Sequence, residues 1–328
     1  MIRAAIDLGT VTSRLLVADV GASAGASGLK ELRREIRITD MGEGLAGSGV
    51  ISVAAIARVA AALRAFLEVI AAVRAEQLSL GADCSHLAAR AIATSALRDA
   101  LNRTEVAEEL AGVGVEIEII SGQREAWLTF LGTLSGFAPD GASVLTVDVG
   151  GGSTELVYGR ADWPPVALAA HSLNIGARRV TDLFLHSDPP TATELTQART
   201  WVQEQVVPVL EALEAIPERL CAVAGSATSA IAIREQLDPY DPTRVHGAKL
   251  AADELEALIT RLATLPLKQR QQVVGLKPAR ARVIVGGLLC LHEVLAATTL
   301  TTLTVSETDI LQGILLDSTL QEQPPTQP

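Results

Sequence analysis

An apolar strand that ends in an acid–glycine turn occurs once in each half of this chain, and no other feature restricts the fold so tightly. Residues Ala4 to Val20 read as two strands joined by a tight turn: one apolar run ends at Asp7-Leu8-Gly9, and Arg14 to Val20 resumes it. At Val144 the pattern returns. Val144 to Val149 is apolar apart from Thr146 and Asp148, Gly150-Gly151-Gly152-Ser153-Thr154 interrupts it, and Glu155 to Tyr158 starts the partner strand. Asp-Gly turns are common enough to arise independently. Here both copies have similar flanking strands and mostly helical sequence after them, which predicts a duplicated α/β domain with a cleft between the copies.

The composition supports two cores. The chain has 328 residues, 48% of them hydrophobic but only 3% aromatic, so Ala, Val, Leu and Ile must fill the interior. Cys84, Cys221 and Cys290 are far apart and fit no metal spacing, as expected of buried thiols in a reducing compartment. The first residues run straight into a strand pattern without a cationic leader, so a cytoplasmic location is expected. The longest apolar stretch, Val50 to Leu78, is broken by Arg58, Arg64, Glu68 and Arg74 and is no membrane span. A net charge of −11 argues against a nucleic-acid binder. Any affinity for anions must therefore come from a local concentration of donors.

Between the two hairpins a third strand is expected near Leu32 to Ile38. Ser52 is expected to cap a long helix with apolar positions Val53, Ile56, Val59, Leu63, Phe66, Ile70 and Val73. Glu116 to Ile120 reads as a strand and Arg124 to Leu134 as the helix after it. In the second half, helices are predicted near 176–185, 193–213, 250–262, 278–295 and 309–316, with strands near 220–224 and 300–305. The boundaries expected are residues 1–128 and 129–306, with a helix near 307–318 packing back on the first domain and a disordered tail at 319–328.

Three glycine-bearing turns follow apolar strands: Gly9-Thr10-Val11-Thr12-Ser13, Gly150 to Thr154, and Gly225-Ser226-Ala227-Thr228-Ser229. Such turns expose N–H groups and hydroxyls without bulk, which suits phosphate oxygens. One alone would more often be a plain hairpin; three at strand ends favour phosphate binding. Asp7 and Asp148 lie in apolar strands, where an unpaired carboxylate costs roughly several kcal/mol to bury. Each alone fits a turn-capping Asp as well as a metal ligand; together they favour Mg²⁺. Glu155 would face Asp148 across the hairpin as a further oxygen, although a solvent-facing strand residue is a fair competitor. No serine–base or cysteine–histidine pairing is evident, so direct attack by water is expected. Spacing does not select its general base, and Glu125 is one acid at a helix start among several.

These residues resemble the exopolyphosphatase and guanosine pentaphosphate phosphohydrolase (Ppx/GppA) family of the actin-like superfamily. The likeness rests on Ile6 to Thr10 with Arg14-Leu15, on Ala93 to Ala100, and on Ile117 to Gly122 leading to Glu125-Ala126. It continues through Asp148 to Leu156, Val245-His246-Gly247 and Val305-Ser306-Glu307. The resemblance implies two actin-like (ribonuclease H-like) domains flanking a cleft. It implies Glu125 as the residue that activates water, and Asp7, Asp148 and Glu155 as metal-associated acids for Mg²⁺. Phosphate contacts are implied at Thr10, Thr12, Ser13, Arg14, Arg98, Gly150, Gly151, Gly152, Ser153, Thr154, Gly225, Ser226 and Thr228.

The implied substrate is inorganic polyphosphate, short chains in particular, with guanosine pentaphosphate as the alternative. The chain departs from the family pattern at three positions. Val11 stands where a side-chain donor is usual, and Arg124 and Arg282 stand where acids are usual.

Two other readings compete. A kinase of the same superfamily would share the Asp-Gly loops, but the Thr94 to Ala100 block and Glu125 favour hydrolysis. A catalytically weak alarmone-binding regulator is suggested only by Val11. His171, His186, His246 and His292 show no metal pattern. Arg178-Arg179 is expected on a solvated helix face, and Arg33, Arg34 and Arg37 on an exposed strand. No nucleic-acid or membrane partner is expected, and a homodimer is left open.

Overall fold

The computed structural model describes residues 1–21, 28–85, 87–213 and 215–317. The expected tail lies outside them. The contacts divide the chain into two compact units: Met1 to Pro139 together with the segment from Asp309 onward, and Asp140 to Thr308. The first boundary thus falls beyond the Gly122–Leu134 helix, not within it at 128/129.

The first unit holds a five-stranded sheet of β1 (Ile2–Leu8), β2 (Thr12–Val20), β3 (Leu29–Ile38), β4 (Ala89–Ala93) and β5 (Ile117–Ile119), in the order β3-β2-β1-β4-β5. The first three strands are antiparallel and the last two run parallel to β1. Central β1 is almost wholly buried, so its sequence is apolar apart from Arg3 and Asp7 and shows no alternation. Edge strand β3 carries Lys30, Glu31, Arg33, Arg34, Glu35 and Arg37, charges that discourage a further strand from adding there. The Ser52 hydroxyl accepts the Ala55 N–H and starts the Val53–Ser79 helix. Its stripe from Ile56 to Val73 is buried against the sheet core.

Two further helices of this unit, Gly122–Leu134 and Ile310–Asp317, approach unusually closely. A Cβ on Gly132 would lie 1.7 Å from the Asp309 carbonyl oxygen, and one on Gly313 would lie 1.8 Å from that of Leu128. Only glycine permits this crossing. It is how the C-terminal helix packs back onto the first unit.

The second unit contains β6 (Ser143–Val149), β7 (Thr154–Arg160), β8 (Val166–Leu173), β9 (Arg219–Val223), β10 (Lys249–Ala251) and β11 (Thr302–Val305), in the order β10-β11-β9-β6-β7-β8. Set aside β10, and β8-β7-β6-β9-β11 repeats the first sheet in order and direction. The core lies between this sheet and helices that include Ala192–Glu211, Ala252–Ala263 and Ile284–Ala296. The single helix expected over 278–295 is in fact a short 3₁₀ turn at Pro278–Arg280 followed by Ile284–Ala296. Strands β8 and β10 have no counterpart in the sequence reading.

Candidate active site

The duplication extends to hydrogen bonds. In the first hairpin the Gly9 N–H donates to the Thr12 carbonyl at 3.0 Å; in the second, Gly150 donates to Ser153 at 3.0 Å. Asp7 lies opposite Arg14, and Asp148 opposite Glu155. The same structural position therefore carries a cation in one unit and a carboxylate in the other.

That difference decides what each hairpin holds. Arg14 donates through Nε at 2.9 Å and Nη2 at 2.6 Å to Asp7 Oδ2, and through Nη1 to Asp309. Asp7 and Asp309 are 4% and 5% exposed. Burial pushes the Asp7 carboxyl up from its ordinary value, against the pull of Arg14. The cation that Asp7 faces is thus Arg14, where a metal was expected, and Arg14 serves two carboxylates where a phosphate contact was expected. Ser13 is fully buried, with its hydroxyl 3.0 Å from that of Thr39, and is not at the surface of the loop. The Thr10 and Val11 carbonyls are taken by the N–H groups of Gly42, Thr39 and Asp40. Thr10 is buried, Thr12 half-buried, and Val11 packs inward. Sequence reasoning missed Asp309, although the Val305-Ser306-Glu307 motif stands just before it.

Glu125 occupies the first turn of the Gly122–Leu134 helix, whose Ser121 cap accepts the Arg124 N–H at 3.2 Å. An acid in a first turn complements the partial positive charge of the helix N-terminus. Arg98, in the last turn of the Ser95–Asp99 helix after β4, donates from Nη1 to Glu125 Oε2 at 2.8 Å. The fold therefore brings two sequence-predicted residues, 27 positions apart, into one ion pair in which Glu125 is 7% exposed. Arg124, read as added positive charge, is instead paired with Asp317.

In the second unit the glycine loop is held from behind. The Gly150 carbonyl accepts Ala177 N–H at 2.9 Å, and the Gly151 carbonyl accepts Arg178 and Arg179 N–H at 2.8 and 3.1 Å. The Gly152 carbonyl accepts Arg179 Nε at 2.8 Å. The loop thus caps the otherwise unsatisfied N–H groups that begin the Ala177–Phe184 helix. With the carbonyls turned that way, the N–H groups of half-buried Gly151 and buried Gly152 make no hydrogen bond among the described residues.

Gly150 is different, since its N–H closes the turn. Thr154 is also corrected: it is fully buried and its hydroxyl donates to the Ile175 carbonyl at 2.9 Å. Ser153 is 2% exposed. Arg178 and Arg179 do not form a solvated face, because Arg178 is 3% exposed and Arg179 braces the loop. No spacing signal distinguishes them. Arg33, Arg34 and Arg37 do lie on an exposed strand, paired with Glu76, Glu31 and Glu35.

Asp148 and Glu155 are 7% and 1% exposed, and Ser172 donates to Glu155 Oε1 at 2.7 Å. Two buried, facing carboxylates offer hard oxygen donors that suit Mg²⁺, an ion commonly held by one or two carboxylates plus substrate phosphates. Among the described residues no group of three or more His, Cys, Asp or Glu side chains forms a metal cage.

Gly225, Ser226 and Thr228 do not form a loop. They lie in the first two turns of the Ala224–Arg234 helix, because Ala224 adopts a left-handed φ of 65° and turns the end of β9 directly into helix. A Cβ on Gly225 would overlap the Arg280 guanidinium at 1.6 Å, so Arg280 lies directly against this turn. Tyr240 donates to Glu307 nearby, and burial lowers the pKa of Lys277, with Arg280 adding to the effect. Arg282 is exposed.

The sequence matches the model of the Ppx/GppA phosphatase family over residues 16–322. It is 36% identical to exopolyphosphatase 2 of Mycobacterium tuberculosis, over 95% of this chain and 97% of that protein. An exopolyphosphatase-like protein of known structure is 30% identical, with a TM-score of 0.84 over 97% of this chain and 99% of that one. The Ppx/GppA family member of Aquifex aeolicus is 25% identical, with a TM-score of 0.76 over 97% of each chain.

Proposed function

The chain belongs to the Ppx/GppA phosphatase family, and from that premise we propose that it is an exopolyphosphatase. It would release terminal orthophosphate from short inorganic polyphosphates, with Glu125 as general base and Mg²⁺ as cofactor. The observation that carries this reading is the Arg98–Glu125 pair, a nearly buried carboxylate that accepts a hydrogen bond from a guanidinium at 2.8 Å.

In this reading a water oxygen attacks the terminal phosphorus in line, and its proton passes to Glu125. The bridging P–O bond breaks, orthophosphate departs, and the shortened chain retains the bridging oxygen with its charge. Arg98 orients the carboxylate and places positive charge beside the incoming phosphate. The Gly151 and Gly152 N–H groups donate to phosphoryl oxygens, and the braces behind them keep that orientation before substrate arrives. Asp148 and Glu155 would hold the metal ion, which when bound would neutralise charge on the phosphoryl oxygens. Asp7 shares Arg14 with Asp309 and shapes its own hairpin.

Phosphate release from polyphosphate and from guanosine pentaphosphate, with and without Mg²⁺, tests the proposal. Glu125→Gln is expected to lower kcat by about 10²–10⁴-fold, the usual contribution of a general base. Undiminished turnover in that variant removes the assignment of the base. Turnover of guanosine pentaphosphate alone would replace the substrate. Tight alarmone binding without release of phosphate would make the chain a regulator.

A further inference from the structure

The crossing of the Gly122–Leu134 and Ile310–Asp317 helices has regular rungs. Gly132 touches Asp309, and one turn away Leu128 touches Gly313. One turn further Arg124 meets Asp317, donating from Nη2 to Oδ2. The first two rungs are backbone contacts that leave no room for a methyl group, so the third is placed by a rigid crossing and not by chance. Arg124 immediately precedes Glu125.

Asp317 is also the acceptor for Arg90 Nη1 at 2.8 Å, and Arg90 in turn pairs with Glu118 at 3.0 Å. Arg90 lies on β4 and Glu118 on β5, so one carboxylate, 8% exposed, ties the C-terminal helix to both the sheet and the Glu125 helix. Among the described residues Asp317 is the only side chain that Arg124 pairs with, and its Nη1 is buried without a partner. Without Asp317 that guanidinium has no side-chain anchor and must swing toward solvent. The turn it would disturb contains Glu125.

We propose that Asp317 is a positioning residue for the reaction: through Arg124 it sets the pose of Glu125 relative to Arg98. This rests on Glu125 being the base. Its effect is on kcat and not on substrate affinity, because Arg124 donates to Asp317 while Arg98 donates to Glu125, and the two ion pairs share no side chain.

The experiment compares Asp317→Asn, Asp317→Glu, Arg124→Gln and the double variant Asp317→Asn/Arg124→Gln in the full chain, with Glu125→Gln alongside. It follows steady-state phosphate release from a short polyphosphate at saturating Mg²⁺, together with the thermal unfolding midpoint. Asp317→Asn is expected to lower kcat about ten-fold with KM within about two-fold, since sub-ångström misplacement of a base costs rate. Asp317→Glu restores most of kcat. Arg124→Gln matches Asp317→Asn, and the double variant is no slower than either, as coupled partners behave.

The proposal is overturned if folded Asp317→Asn turns over at the wild-type rate. It is also overturned if the two losses multiply, or if the variants only lower the unfolding midpoint. Should Asp317→Asn not fold, Arg124→Gln with wild-type kcat overturns it alone. A slow Glu125→Gln with a normal Asp317→Asn sinks only this inference, whereas a fast Glu125→Gln sinks the assignment of the base as well.

Discussion

Gly176 has an extended backbone, φ −177°, which any residue adopts, yet no other residue fits there. A methyl group at this position would meet the Gly151 carbonyl carbon and oxygen at 2.7 Å and the Gly152 nitrogen at 2.9 Å. The constraint is the approach of the glycine loop to the helix that braces it, not torsional freedom. Gly176→Ala must push the loop off that helix start, breaking bonds of 2.8 to 3.1 Å that orient its N–H groups. The expected result is a loss of about ten-fold or more in kcat/KM for phosphate release, since donors must be aimed before substrate arrives. An unchanged kcat/KM would show that the loop's orientation does not depend on the brace. Arg14 and Glu155 make a related point at the same scale. One substitution between equivalent hairpin positions turns a carboxylate pair suited to a cation into a closed ion pair.

At the level of elements, helices begin by different means here. Ser52 and Ser121 supply hydroxyl acceptors, the glycine loop supplies carbonyls, and the Ala192–Glu211 helix uses a reciprocal capping box between Thr191 and Glu194. The Glu194 carboxylate accepts N–H groups from Thr191, Ser187 and His186. Chiefly the Thr191 N–H, aided by Ser187, holds its pKa down at about 2, below an ordinary 4.5. A depressed carboxylate adds stability above its unfolded pKa and loses it as the pH falls through the folded one. Glu194→Gln should therefore unfold at lower denaturant than the parent at neutral pH, with the gap closing as the pH drops from 4.5 toward about 2. Chemical denaturation at a series of pH values reads this out, and a gap independent of pH would refute it. Strand β8 shows the converse, an element whose own residues do not announce it. Its sequence, Val-Ala-Leu-Ala-Ala-His-Ser-Leu, has little β-propensity, and it becomes a strand by pairing with β7.

Taken whole, the molecule is acidic, with a net charge of −11, and a polyanionic substrate approaches against that field. Each added phosphate would raise the repulsion, while the proposed donors, the Gly151 and Gly152 N–H groups, would reach only a few phosphoryl oxygens. Efficiency on polyphosphates of graded length should therefore fall as the chains lengthen, measured as kcat/KM per chain end. A steady rise with length would show a basic track that guides long polymers.

The duplicated α/β architecture was legible because strand-ending Asp-Gly turns and periodic apolar runs are local signals, set by the pleat, the helical repeat and the burial of aliphatic side chains. The family was legible for the same reason. Which of the candidate side chains reach the site was not. Ser13 and Thr154 turn inward, Arg14 closes on Asp7, and Arg179 and Asp309 enter from distant segments. Those outcomes depend on which segment of the chain arrives to satisfy each buried donor or carboxylate, and only the packed fold brings such partners within hydrogen-bonding distance.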